Sequence, residues 1–287
     1  MFTFRLAQLY SYIYGIAKHY FNFHIRGLGF ILRRVKVDRR ISVFGRHLWF
    51  DHRLAEAYAR PLSGSWNEPE THRFISLIFS GISNSTFIEV GGNIGEILVD
   101  VASHSNSGGC IVFEPNPQCV EVIIRNVAIN SLKRCQIIPK AVGDKTGSVK
   151  MYFGSHSPTA SVLSPESKSV GIDVELTTLD HELEHIELGD NVLLLVDVEG
   201  YEPQVLRGAA ALIKEKRPLI IFEYNEGSKE HYKLSEIQDL LGAGYQIYRL
   251  RTDAYLDEDV ENAWNCVAIP CDSVFQAILR RKEIFNR

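Results

Sequence analysis

No two cysteines of the chain stand at CxxC spacing, and the five present (Cys110, Cys119, Cys135, Cys266 and Cys271) follow no regular framework. That usage argues against a structural zinc site and a disulfide scaffold, and for a reducing compartment, with the cytoplasm as the expected location. No apolar run near the N-terminus reaches the roughly 20 residues that a membrane-spanning helix needs. The uncharged stretch "LAQLYSYIYGIA" (residues 6–17) is too short, and its tyrosines and the lack of a clean small-residue cleavage site argue against a secretory signal. Internal repeats and low-complexity tracts are missing. So is a basic stripe interleaved with aromatics, which argues against a nucleic-acid partner.

The 287 residues that remain to be explained are 45% hydrophobic and 23% charged, an ordinary globular composition able to bury a core. The net charge of -4 hides an asymmetry. Residues 1–40 hold eight Lys or Arg against the single acid Asp38, so this end carries about +7 and the rest about -11. Two readings of the basic, aromatic end stay open. It is an amphipathic helix lying on a membrane surface, with Lys18, Arg26, Arg33 and Arg34 around its aromatic side, or a helical extension packed on its own domain or on a second subunit. The expected division is an N-terminal extension over 1–65 and one large domain over 66–287.

Two short alternating stretches around Gly45 read as a hairpin or meander. Pro69 and neighbouring acids then open a helix whose apolar residues Phe74, Ile75, Ile78 and Phe79 recur at helical spacing up to Gly81. From there apolar runs alternate with helical segments. Strands are expected at 86–90, 109–114, 135–140, 192–197, 219–224, 246–250 and 265–269, and helices at 95–103, 117–130, 202–208 with a continuation to 215, and 233–241. This alternation predicts an α/β fold, a doubly wound, mostly parallel seven-stranded sheet whose last two strands form a hairpin. The Ser- and Pro-rich stretch 154–170 reads as a surface loop or one that orders over a ligand.

In such a sheet ligands sit beyond the carboxyl ends of the strands, which selects "FIEVGGNIGEILVD" (residues 87–100). Glu114, 19 positions after Gly95, suits two ribose hydroxyls. Nicotinamide and methyl-donor sites share that much. A carboxylate at Glu89 would repel a pyrophosphate but suits an ammonium or a sulfonium. The loop also lacks GxGxxG spacing, because Asn93 stands where the second glycine would come. S-adenosylmethionine is therefore the expected cofactor, with a nicotinamide dinucleotide as the alternative.

The blocks "FIEVGGNIGEILV", "IVFEPNPQCVEVIIRNVAIN", "PKAVGDKTGSVKMY", "VELTTLDHEL", "VLLLVDVEGYEPQVLRGA" and "PLIIFEYNEG" resemble, in that order, the FkbM family of S-adenosylmethionine-dependent methyltransferases over roughly residues 66–270. Members usually open the motif with Asp-Val-Gly-Ala-Asn, where this chain has Glu89-Val90-Gly91-Gly92-Asn93. The resemblance implies a class I methyltransferase fold and O-methylation of sugars in surface polysaccharides, glycolipids or glycosylated natural products. It also implies that Glu89, Gly91, Asn93 and Gly95 hold the methionine part of the cofactor and Glu114 the ribose. By the same resemblance Asp144 sits near the adenine and Glu70 closes over the cofactor.

Methyl transfer is an in-line displacement, so positioning carries most of the catalysis, and a base helps a poorly nucleophilic hydroxyl. Asp197 and Glu199 end a buried strand in "LLLVDVEGYE". Two such acids make a base of raised pKa or half of a divalent-metal site. Glu199 capping the next helix, with Gly200 making the turn, is the plainer reading. No metal is predicted, though a divalent ion is compatible with the pair. Glu223 is a second candidate base, and His156, in the Ser-rich loop, a third. Asp180 reads as a helix cap rather than a site residue. Tyr201 and Tyr224 are either sugar-stacking or core aromatics. The expected partner is a free or lipid-linked glycan acceptor, with peripheral membrane contact through residues 1–40 and a homo-oligomer both compatible with the chain. A nicotinamide-dependent sugar oxidoreductase and a non-catalytic cofactor-binding scaffold are the competing functions.

Overall fold

The computed structural model describes residues 2–21, 31–32, 34–104, 107–153, 160–161 and 170–285. Seven strands lie where apolar, β-branched runs predict them: β3 (Ser85–Val90), β4 (Ser107–Phe113), β5 (Cys135–Ile138), β10 (Asn191–Val196), β11 (Leu219–Glu223), β12 (Tyr245–Leu250) and β14 (Asn265–Pro270). The two-residue β13 (Leu256–Asp257) joins them at one edge, and the sheet runs β13-β12-β14-β11-β10-β3-β4-β5. β3, β4, β5, β10 and β11 pair in parallel, whereas β14 is antiparallel to both β11 and β12. β14 thus enters between β11 and β12, so the final antiparallel pair is a return into the sheet as well as its end.

Alternation along the strands loads both faces. On β10, Leu193 and Leu195 join one core and Val192, Leu194 and Val196 the other, as the two-residue period of a strand requires. The first core is covered by α2 (Pro69–Phe79), α3 (Glu96–Val101) and α9 (Val274–Arg281). The second is covered by α5 (Leu179–Leu183), α6 (Glu202–Arg207), α7 (Ala210–Lys216) and α8 (Leu234–Leu241). The helix expected to run on from 208 to 215 is broken at Gly208 and Ala209, and Asp180 accepts from the Ala211 and Leu212 amides at 2.8 and 2.9 Å. Asp180 therefore does cap a helix start, that of α7.

A second sheet was not anticipated from the sequence. β6 (Ala141–Val142), β7 (Gly147–Phe153), β8 (Ala160–Ser161) and β9 (Val170–Thr177) run in the order β6-β9-β7-β8, inserted between β5 and β10. Residues 154–159 and 162–169, most of the Ser-rich loop, lie outside the described residues, and His156 with them.

At the N-terminus, α1 (Phe2–Phe21) and the hairpin of β1 (Arg39–Val43) and β2 (Arg46–Phe50) rest on the same body. The hairpin turn, Phe44-Gly45, has φ of 46° and 80°, the left-handed pair that a two-residue turn needs. Phe4 and Ala7 of α1 share a core with Phe50 and Tyr58, and with Val99 of α3 and Val122 of the helix α4 (Pro117–Ile129). Helix α4 also closes the open edge of β2. Asn126 accepts from Trp49 N at 2.6 Å and donates to Ile94 O at 2.7 Å, while Asn130 accepts from His47 N at 2.9 Å and donates to His47 O at 2.6 Å.

Candidate active site

At the carboxyl end of the sheet the chain turns away from β3 through Gly91 and Gly92, whose amides donate to Phe113 O at 3.0 and 3.1 Å, while Asp197 N donates to Val90 O at 2.9 Å. The crossing is tight. A Cβ on Gly91, where φ is 92°, would lie 1.9 Å from Asp197 O, and one on Gly92 would lie 2.2 Å from a Val112 methyl. Gly95 follows as the residue before α3, with φ 73°. Glu114 binds the loop from below, its two carboxylate oxygens accepting from Asn93 N at 2.7 Å and Asn116 N at 2.8 Å. Burial pushes Glu114 up to about 7.

Two cavities flank this loop and share Gly91, Asn93 and Asp197. One is lined by Phe113, Glu114, Lys140, Val142, Met151 and Tyr201 among others. The other is lined by Glu68, His72, Glu89, Glu96 and Ile97. Together they form one cleft around the loop. Glu89 is only 3% exposed and its Oε2 has no partner. Burial, then the nearby Glu114 and Glu96 carboxylates, hold it well above the usual carboxylate range, opposed by His72. His72 is itself buried, stacked on Trp66 at 4.5 Å, 2.8 Å from Asp100 and 3.5 Å from Glu96. Burial alone would lower its pKa; the hydrogen bonds to Asp100 and Glu96 win and raise it to about 9.

Opposite the loop, Asp197, Glu199 and Glu223 each place a carboxylate oxygen within 4.8 Å of the others. Asp197 opens to the cleft yet is ringed by protein. That enclosure first, then Glu223, Glu68 and Glu199, holds it well above the ordinary range. Glu223, raised to about 8 by burial and then by Glu199, Glu202 and Glu68, also accepts from Ser228 Oγ at 3.2 Å. Glu199 adopts a left-handed φ of 55°. The loop amides of Val198 and Gly200 donate to Glu202 at 3.1 and 3.3 Å, so Glu202, rather than Glu199, organises the start of α6. The trio can share a proton or hold a divalent cation. Asp38, Asp51 and His52 form another group of metal-binding spacing, on the N-terminal extension.

The structure therefore gathers Glu89, Gly91, Asn93, Glu114 and Asp197 around one cleft, with Glu223 buried beside Asp197 and lining neither cavity. Asp144 is exposed beside Tyr201, whose hydroxyl is raised by burial and then by Asp144, and it does not line either cavity. Glu70 is half-buried in the first turn of α2; its neighbour Glu68 reaches the wall instead, accepting from Asn265 Nδ2 at 2.6 Å and Thr71 Oγ1 at 3.0 Å. Tyr224 is committed to packing: its ring lies 5.5 Å from that of Tyr232 and its hydroxyl accepts from Leu234 N at 3.2 Å. Sequence reasoning missed Glu68, His72, Lys140 and Met151. Met151 comes from the unanticipated second sheet, and "NEPE" (residues 67–70) offered two acids, of which the helix start alone could not choose the inward one.

The sequence pattern of the Methyltransferase FkbM domain matches residues 89–247, which spans the glycine loop, Glu114 and both catalytic candidates of the described cleft. The chain belongs to the FkbM methyltransferase family. Methyltransferase sdnD of Sordaria araneosa is 28% identical, the match covering 44% of this chain and 61% of that protein. The crystal structure of Methyltransferase FkbM from Methylobacillus flagellatus is 17% identical with a TM-score of 0.45, over 76% of this chain and 52% of that one. That of M. jannaschii TYW2 in complex with AdoMet is 12% identical with a TM-score of 0.43, over 82% and 85%. The chain thus spans about three fifths of the first of these relatives and half of the second.

Membership identifies residues 89–247 as a methyltransferase domain of the FkbM family, which speaks for S-adenosylmethionine over the nicotinamide alternative. The residues fit the cofactor on their own terms. An unpartnered buried carboxylate oxygen at Glu89 is placed to accept an ammonium, and Gly91 and Gly92 let the loop that carries it cross directly against Asp197 and Val112, where a Cβ would clash. The carboxylate of Glu114 closes the strand that an adenosine ribose would face.

Proposed function

We propose that the protein transfers a methyl group from S-adenosylmethionine to a hydroxyl of a sugar, in a surface polysaccharide, a glycolipid or a glycosylated natural product. The observation that carries this reading is the carboxylate trio beside the glycine loop, in which Asp197 and Glu199 line the cleft and the buried Glu223 lies within 4.8 Å of both. When bound, S-adenosylmethionine supplies an electrophilic methyl group. The chain's own part is to seat the amino-acid end through Glu89, the ribose through Glu114 and the adenine among Val142, Met151 and Tyr201. The acceptor hydroxyl is left facing the trio.

A hydroxyl is a weak nucleophile at neutral pH, and a carboxylate of raised pKa accepts its proton more readily than an ordinary one. Asp197, open to the cleft, takes that proton at its carboxylate oxygen. Glu223 and Glu199, by crowding it with like charge, raise its basicity and let the proton be shared within the cluster. The exposed apolar residues of α1 and its basic flank support an acceptor that is lipid-linked and met at a membrane surface.

The test is transfer of labelled methyl from S-adenosylmethionine to a panel of glycans and glycolipids. Native protein is expected to label at least one, and Asp197→Asn to lose about a hundredfold or more in kcat while still binding S-adenosylhomocysteine. Cofactor binding with no labelled glycan of any kind would favour the scaffold reading.

A further inference from the structure

Resting on the sugar-acceptor reading, we propose that Trp264 is a specificity-determining platform on which a neutral pyranose ring of the acceptor stacks. Of the three tryptophans, Trp66 is buried at 5% and packed on His72, and Trp49 is half-buried beneath the Arg125 guanidinium, 5.2 Å from its ring. Trp264 is 57% exposed, and among the described residues no ring or cation packs on it.

Its position is fixed from both sides. Tyr224 N donates to Trp264 O at 2.9 Å, one step past the paired Glu223 and Asn265 of β11 and β14. Asn265 in turn donates to Glu68 in the cleft wall at 2.6 Å. Trp264 is therefore the next residue along the chain from the carboxylate cleft. By strand alternation its side chain shares a face with Tyr224, across the sheet rim from Glu223.

The loop that presents it is ordered by its own hydrogen bonds. Asp259 N donates to Asp257 Oδ1 at 3.1 Å, Glu261 N to Asp259 Oδ1 at 3.0 Å and Ala263 N to Val260 O at 3.2 Å, and Lys229 Nζ donates to Glu261 O at 2.5 Å. A large aromatic held in water one residue along the chain from the cleft wall loses little entropy on binding. It offers a flat apolar face of the kind that covers the C–H side of a pyranose. Exposed Glu258, Asp259 and Glu261 precede it on the same loop. They accept hydrogen bonds from sugar hydroxyls and repel anionic rings, so uronic acids, sialic acids and phosphosugars are disfavoured.

The experiment uses the full chain saturated with S-adenosylhomocysteine and titrated with the methyl glycosides of glucose, galactose, mannose, rhamnose and fucose, and with lactose. Tryptophan emission is compared with that of Trp264→Phe, and labelled-methyl transfer to the same sugars is measured in parallel. The expected result is a saturable change in emission with at least one sugar, absent in Trp264→Phe. Trp264→Ala is expected to raise KM for that sugar about ten-fold, the scale of one aromatic contact, with S-adenosylhomocysteine binding unchanged as evidence that it folds.

A sugar that is methylated without moving the emission or the Trp264→Ala KM overturns the platform and leaves the O-methylation reading standing. A saturable Trp264 response with no transfer to any glycan supports the platform and overturns the O-methylation reading. Neither response nor transfer overturns both.

Discussion

At the scale of single residues the cleft is governed by carboxyl groups that burial has made reluctant to ionise. Glu89 is the clearest case, because its assigned task is to meet an ammonium, which needs the carboxylate form. In the empty protein burial holds Glu89 well above the usual range, whereas a seated ammonium favours the charged state. Cofactor binding therefore expels a proton wherever the pH lies below the free-state pKa, and affinity rises with pH by up to about ten-fold per unit. Titration calorimetry with S-adenosylhomocysteine between roughly pH 6 and pH 8 is expected to show this rise, together with a buffer-dependent enthalpy from the released proton. His72, raised to about 9, stays cationic across that window and adds no slope. In Glu89→Gln the affinity is expected to be weaker and to rise less steeply with pH, the remaining slope coming from Glu114, which burial has pushed up to about 7. A pH-independent affinity in the native protein would show that Glu89 is already ionised, or that the ammonium lies elsewhere.

How far the sequence revealed these residues follows from what each depends on. Glu89, Gly91, Asn93, Glu114, Asp197 and Glu223 all stand at the ends of buried parallel strands, and the end of an apolar run is visible in a sequence. Glu68, His72 and Met151 reach the cleft from a helix start and from a neighbouring sheet, so their inward direction depends on packing that no periodicity encodes.

At the scale of elements the same distinction holds. The seven long strands of the main sheet are dense apolar runs, fully buried in β3, β11 and β14. β13 has two residues, and β9 alternates partly exposed polar positions with Val174 and Leu176, which left the second sheet unread. Helix α9 is strongly amphipathic but short, and it follows β14 after only Cys271, Asp272 and Ser273. The hairpin β1–β2 depends on α4 more than its own sequence suggests. Asn126 is fully buried and serves Trp49 N and Ile94 O at once, so Asn126→Ala strands one donor and one acceptor. At about 1–3 kcal/mol for each unsatisfied group, the variant is expected to lose on the order of 2–6 kcal/mol in chemical denaturation. An effect below about 0.5 kcal/mol, the level of an ordinary surface change, would mean that the hairpin edge finds other partners.

At the scale of the whole molecule the division of charge is the leading feature. The basic end is not a free arm, because Phe4, Ala7 and Ser11 of α1 face the protein, with Ser11 Oγ donating to Ala59 O. The opposite side of the same helix carries Leu6, Leu9, Tyr12 and Ile13, each between 40% and 57% exposed. Arg5 of the helix is exposed, Arg39 lies over the Phe4 ring at 4.6 Å, and Lys36 and Arg40, near Arg39 in the chain, are exposed as well. An apolar stripe bordered by cations is the composition that binds an anionic lipid surface. Among the described residues no helix is long and apolar enough to cross a membrane, so contact through α1 would be peripheral. Each cation near such a surface contributes about 1 kcal/mol, lost as salt screens it. Sedimentation with vesicles of phosphatidylserine and phosphatidylcholine is expected to pull down the native protein at low salt and to release it at high salt. The double variant Leu9→Glu, Ile13→Glu is expected to stay in solution at either salt, with S-adenosylhomocysteine affinity unchanged because α1 does not line the cleft. Equal binding to vesicles without phosphatidylserine would remove the electrostatic half of the argument. Failure to sediment with either vesicle would assign the stripe to a protein partner instead.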